Sequence, residues 1–237
     1  MKNIVIIGAS GHGSVILDCI EKEGKFNVMG FIDSFKEKGG KQNGYELLGS
    51  EHDLPYLIDM FNLHGGIVAI GDNWTRKNVV ERISEIAPNF KFITSIHPKA
   101  VIGKDVQIGK GTVIMPGAIV NANSRLGDFC VLNTNATLGH DSFMDNFSSM
   151  ASGVTAGGCF YLGKFSAVCL GANIIENIRV MDHTVIGAGS LVIKDVRGSE
   201  VAYGSPAHKV RKRKAGERYL SGGKRKTPKL SLVARNM

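Results

Sequence analysis

The stretch Ile102-Gly103-Lys104-Asp105-Val106-Gln107-Ile108-Gly109-Lys110-Gly111-Thr112-Val113-Ile114 decides the fold. A large aliphatic residue recurs every sixth position. The step continues unbroken through Val120, Leu126, Leu132, Leu138, Met144, Met150, Ala156, Leu162, Val168, Ile174, Val180, Ile186 and Val192. With 43% apolar residues in the chain, independent chance gives such a run on the order of once in a million trials. Four residues after nearly every position of this run stands a small or β-branched one, as in Val106, Thr112, Ala118, Ser124, Cys130 and Ala136, with Phe160 the exception. This is the signature of a hexapeptide parallel β-helix. A helical period of 3.6 cannot hold a six-residue phase over about ninety residues. Three hexads make one coil, and successive coils stack at roughly 4.8 Å.

Residues 1–95 read differently. Strands at Lys2–Ile7, Asn27–Ile32, Gly66–Ile70 and Phe90–Ile93 alternate with helices at His12–Lys22, Glu51–Phe61 and Thr75–Ala87. That alternation predicts a small α/β, Rossmann-like parallel sheet. Its first turn, Gly8-Ala9-Ser10-Gly11-His12-Gly13, has GxxGxG spacing rather than the GxGxxG dinucleotide fingerprint. Glycines there admit a phosphate to a helix N-terminus, or they simply make a tight strand-to-helix turn. Asp33 and Ser34 end the second strand, and Asp33 is either a ribose or base contact or a turn residue. Ala69-Ile70-Gly71-Asp72-Asn73 ends the third strand. Ligands in open parallel sheets sit at these C-terminal strand ends. Gly11, His12, Gly13, Asp33, Ser34, Gly71 and Asn73 are therefore the candidate substrate contacts.

Charge excludes some classes. Residues 207–237 hold eleven of the 29 Lys and Arg but one of the 21 Asp and Glu. The net charge of +8 thus belongs to a tail, and the remainder is nearly neutral. Its basic runs Lys209-Val210-Arg211-Lys212-Arg213-Lys214 and Lys224-Arg225-Lys226 have no interleaved aromatics for base stacking, which argues against nucleic acid. Residues 211–237 read as a basic disordered tail, and truncation after Lys212 is expected to leave the chemistry intact. No apolar run reaches the roughly 18 residues of a membrane span, and no signal peptide is evident, so the expected location is the cytoplasm. Cys19, Cys130, Cys159 and Cys169 lack metal-site spacing, so no metal is expected.

Among seven histidines, His140 stands out by phase. It is the third residue of its hexad and should point outward at a corner. One coil away on either side are Ala122 and Gly158, both small, which leaves a notch around the imidazole. Asp141 follows directly, and a neighbouring carboxylate makes an imidazole more basic.

The ordered set Gly8-Ala9-Ser10-Gly11-His12-Gly13, Ala69-Ile70-Gly71-Asp72-Asn73, Ile96-His97-Pro98, Leu132-Asn133-Thr134, His140-Asp141 and Gly204-Ser205-Pro206-Ala207 resembles one bacterial family. These are the nucleotide-sugar 4-amino N-acetyltransferases and the sialic acid O-acetyltransferases with a left-handed β-helix. The resemblance covers about residues 1–210. It implies a left-handed β-helix over 96–210, a homotrimer, and acetyl-CoA in the cleft between neighbouring β-helices. It implies a nucleotide sugar held by the N-terminal domain, with its amine directed at His140. By resemblance, Gly158, Leu170, Ala188 and Pro206 contact acetyl-CoA, and Asn133 lies near the sugar. Ser149 stands where some members carry a second histidine. The expected chemistry is direct acetyl transfer with His140 as general base, aided by Asp141 and the Gly158 N–H. O-acetylation of a sialic acid is the alternative, and a non-catalytic β-helix scaffold a more distant one.

Overall fold

The computed structural model describes residues 1–220. β1 (Lys2–Ile7) forms where four consecutive apolar residues can be buried on both faces, and Ile4 to Ile7 are at most 1% exposed. α1 (Gly11–Glu23) follows and ends at Gly24, whose φ of 68° closes the helix. β2 (Phe26–Ile32), β3 (Lys41–Gln42) and β4 (Tyr45–Gly49) come next, then α2 (Leu54–Phe61), β5 (Leu63–Val68) and α3 (Asn73–Ile86). The sheet order is β3-β4-β2-β1-β5. Two features depart from the sequence reading. β3 and β4 form an antiparallel hairpin at one edge, and Phe90–Ile93 forms no strand beyond a single bridge from Phe92 to Gly66.

From Ser95 onward the chain winds into a left-handed parallel β-helix of two-residue strands on three faces. Ile119 pairs with Val101 on one side and Thr137 on the other, an eighteen-residue coil. Every large position from Ile114 to Val192 is buried, while Ile102 at the open first coil is 38% exposed. The small positions fill the inner corners. Thr112, Ser124, Ser142, Ser166 and Thr184 are buried, and their hydroxyls donate to backbone carbonyls of the coil wall. A hydroxyl buried without a partner would cost about 1–3 kcal/mol. The frame breaks at the last coil, where Val201 rather than Tyr203 pairs with Val185. A hairpin of Glu200–Gly204 and Ala207–Lys212 closes that end.

The N-terminal domain sits on one corner of the β-helix. Phe129, Phe147, Phe165 and His183 recur one coil apart, all at positive φ, and their rings stack at 4.9, 5.6 and 4.9 Å. Phe92 and Trp74 pack edge-on against this ladder. Arg76 is 1% exposed and donates to the carbonyls of Ile70, Gly71, Phe129 and Phe147 and to Asn73 Oδ1. Asn73 in turn donates to the Ser166 carbonyl at 2.9 Å. A buried cation with all these acceptors joins the two domains firmly.

The chain beyond residue 210 differs from the disordered tail expected. The closing strand runs through Lys212, and residues 213–220 lie back against both domains. Arg213 is buried, with its backbone N–H on the Ser199 carbonyl and its guanidinium on the carbonyls of His183 and Glu217. The rest of the expected tail, 221–237, lies outside the described residues.

Candidate active site

Two cavities adjoin at the C-terminal edge of the N-terminal sheet. The first, about 570 Å³, is lined by Gly8, Ser10, Asp33, Ser34, Phe35, Glu51, Gly71, Trp74, Arg82 and Arg218. The second, about 300 Å³, is lined by His12, Gly71, Asn133, Ser149, Leu170, Ala188, Tyr219 and Leu220. Gly71 belongs to both, and the start of α1 divides them, with Ser10 on one side and His12 on the other.

The glycine turn does two separate jobs. Gly8 has φ of 109°. A Cβ at Gly13 would strike the Gly8 carbonyl, so Gly13 serves close packing of helix on strand and lines neither cavity. Both Asp33 oxygens are engaged: Ala9 N–H donates to one at 2.8 Å and Phe35 N–H to the other at 2.9 Å. Asp33 thus fixes two of the loops while facing the larger cavity. Phe35 is 98% exposed at its rim. His12 borders the smaller cavity. Burial and the nearby Arg76 cation push its pKa down to about 4, and its Nε2 has no hydrogen-bond partner among the described residues.

Of the candidate contacts, Gly71, His12, Asp33, Ser34, Asn133, Leu170 and Ala188 line the cavities. Asn73 does not, since it is buried in the domain junction. Pro206 and Gly11 line neither.

His140 lies elsewhere on the chain, on a different β-helix corner. Its Nδ1 is 2.7 Å from Asp141 Oδ2, and its side chain is 65% exposed. Asn123 donates to the other Asp141 oxygen at 3.1 Å. Hydrogen bonds from His140 and then Asn123 hold the Asp141 carboxyl below its usual range. The expected notch is there: a Cβ on Gly158 would come within 2.5 Å of His140 Nε2, so only glycine lets the ring lie flat on the corner. Gly158 N–H makes no protein hydrogen bond among the described residues.

Cys159 is a neighbour that phase alone had not singled out. Its thiol, an imidazole nitrogen of His140 and an Asp141 oxygen lie within 4.8 Å of one another. The signal was available, because Cys159 is one eighteen-residue coil beyond Asp141. Cys130, by contrast, points inward, and burial pushes its thiol up to about 11.

Residues 3–83 match the PglD N-terminal domain, and residues 99–134 match the bacterial transferase hexapeptide, six repeats. The chain is similar to a perosamine N-acetyltransferase from Caulobacter crescentus solved with CoA and GDP-perosamine. The identity is 28%, over 89% of this chain and 98% of that one, with a TM-score of 0.84. The chain is thus similar in sequence and fold to N-acetyltransferases of nucleotide-linked amino sugars. Another solved relative is the acetyltransferase domain of PglB from Neisseria gonorrhoeae, at 28% identity over 89% and 100% of the chains and a TM-score of 0.81. A curated relative, the UDP-N-acetylbacillosamine N-acetyltransferase of Bacillus subtilis (strain 168), is 37% identical over 118 residues. That match spans 48% of this chain and about half (52%) of the Bacillus protein. WeeI of Acinetobacter baumannii, at 21% identity and a TM-score of 0.65, shares the fold of the family. The segments matched by the two family models include the glycine turn and the first coils. The His140 corner lies beyond residue 134, so its assignment rests on the geometry above.

Proposed function

We propose that the protein transfers an acetyl group from acetyl-CoA to the 4-amino group of a nucleotide-linked amino sugar, for cell-surface glycan synthesis in the cytoplasm. The observation that carries this reading is the joined pair of cavities: one suits a nucleotide at the strand ends, and its neighbour reaches the β-helix where Leu170 and Ala188 stand exposed. Leu170 is 59% exposed, and an apolar edge of this kind suits the pantetheine arm of CoA.

His140 does not border the cavities of its own protomer. A general base must come within hydrogen-bond reach of the proton it takes. A homotrimer supports this, with His140 of one subunit facing the cavities of the next. Acetyl-CoA supplies the acetyl group as a thioester. With its Nδ1–H donated to Asp141, His140 presents Nε2 as the acceptor. Nε2 takes the proton from the amine as the amine nitrogen bonds to the thioester carbonyl. It returns that proton to the departing sulfur. The free Gly158 N–H steadies the oxyanion. Asp141 stays ionised throughout, which fixes the imidazole tautomer.

The test is a product-mass assay with acetyl-CoA and UDP-, GDP- and dTDP-linked 4-amino sugars, with free and nucleotide-linked sialic acids alongside. A mass gain of one acetyl group on an amino sugar supports the reading. Acetylation of a sialic acid alone, or of nothing, rejects it.

A further inference from the structure

Residues 213–220 were unexpected, and they touch both cavities. Arg218 and Gly216 line the larger one, and Tyr219 and Leu220 line the smaller. The segment is built in rather than draped. Arg213 anchors its start in the closing coil. Glu217 N–H donates to the Lys214 carbonyl at 3.2 Å, and the Arg211 guanidinium holds the Glu217 carboxylate at 2.7 Å. Gly216 has φ of 77° and presses on the Trp74 indole so closely that a Cβ would come within 2.8 Å of Nε1. The Tyr219 hydroxyl donates to the Gly71 carbonyl at 3.2 Å and lies 3.1 Å from Ser149 Oγ. It therefore ties the loop shared by both cavities to the β-helix face.

The charge of the larger cavity gives the segment a role. Its acidic groups are Asp33, whose oxygens are held by backbone N–H groups, and Glu51, which faces Arg82 at 3.4 Å. Arg218 makes no ion pair among the described residues, and it is exposed at this cavity. We propose that residues 213–220 form a strap over the nucleotide-sugar site, in which Arg218 meets the diphosphate and Tyr219 is the residue that positions the strap. This deepens the function proposed above and rests on its nucleotide pocket. A guanidinium matches phosphate oxygens two at a time, which makes it the better side chain for such a contact. Tyr219 reaches no phosphate itself. It acts through the Gly71 loop, against which Leu220 also packs. The earlier expectation for truncation after Lys212 is thereby reversed.

CoA carries phosphates too, so the experiment separates the two sources. Calorimetry on the full chain measures UDP, GDP and dTDP in one set of arms and CoA in another. Arg218→Ala weakens the nucleoside diphosphate that the wild type binds by about tenfold or more, as loss of a charge-assisted contact does. Arg218→Lys restores part of that affinity, and CoA binding stays within about twofold. Tyr219→Phe keeps the thermal midpoint yet raises KM for the nucleotide sugar several-fold more than KM for acetyl-CoA, which a merely structural role would not produce. Equal nucleotide affinity in Arg218→Ala and wild type overturns the proposal, as does a loss confined to CoA. If the wild type binds none of the three nucleotides, both the strap and the nucleotide pocket fall. If it binds one, responds to Arg218→Ala, and still acetylates no sugar, the strap stands and the acetyltransferase reading fails.

Discussion

At the scale of single residues, the corner around His140 and the buried His12 make separate predictions. Replacing His140 with Ala should lower kcat by about 10²–10⁴-fold, the range for loss of a general base. Its side chain is largely exposed, so the thermal midpoint should hardly move. Near-normal turnover would remove His140 from the mechanism. Cys159 sharpens the point, since a thiol beside an imidazole invites an acyl-cysteine route. Direct transfer needs no such intermediate, so Cys159→Ala should keep most of its turnover, whereas trapping of an acetylated Cys159 by mass spectrometry would overturn direct transfer. His12 makes a thermodynamic prediction. Its folded pKa of about 4 lies below the ordinary 6.5, so the unfolded chain binds the extra proton between those values. Stability is then complete above about pH 6.5 and falls as pH drops toward 4, by up to about 3 kcal/mol for this one group. Denaturant unfolding at pH 7 and pH 5 should show a smaller pH loss in His12→Gln than in wild type. An unchanged loss would mean that His12 is not held neutral by the fold.

At the scale of elements, what the sequence disclosed depended on how local the signal was. The six-residue period could be read because each hexad states its own inward pair. The corner of His140 followed from the same phase. The β3–β4 hairpin had a local signal as well: Asn43-Gly44, now both at positive φ, is a turn pair of the type I′ kind, yet the flanking Lys41-Gln42 gave no apolar alternation. The strand expected at Phe90–Ile93 is reduced to one bridge, with Phe92 packed edge-on against Phe129 of the ladder and Phe90 edge-on against Phe92. The ladder itself, the domain junction and the strap were not legible. Each depends on residues one coil or one domain apart, and a run rich in Lys and Arg looks solvated until its Arg213, Gly216 and Tyr219 find partners. Arg76 is the clearest case, since a mid-helix arginine in α3 reads as surface. Arg76→Ala would remove the guanidinium from five acceptors at the junction, of which the Gly71 carbonyl keeps the Tyr219 hydroxyl, and should cost about 3 kcal/mol or more. If denaturant unfolding shows a loss under about 1 kcal/mol, the junction is held by the aromatic ladder rather than by the buried guanidinium.

At the scale of the whole molecule, the decisive feature is a separation. The cavities and the His140–Asp141 pair occupy different β-helix corners of one chain. If chemistry requires them together, a closed ring of copies is the economical way to bring them together, and one head-to-tail contact repeated three times does so. Mixing two inactive variants tests this directly. His140→Ala lacks the base but keeps its cavities. Ala188→Trp fills the smaller cavity with an indole from an exposed corner position but keeps its own His140. In trimers reassembled at random from equal amounts, each shared site draws its base from one subunit and its cavity from the next. About one site in four then receives an intact base and an intact cavity, so activity should return to about a quarter of the wild-type level. A site contained within one subunit would regain nothing, because every chain in the mixture carries one of the two defects. Activity that stays at the level of the separate variants, in a preparation shown by mass to contain mixed trimers, would therefore place base and cavity in the same chain and overturn the shared site.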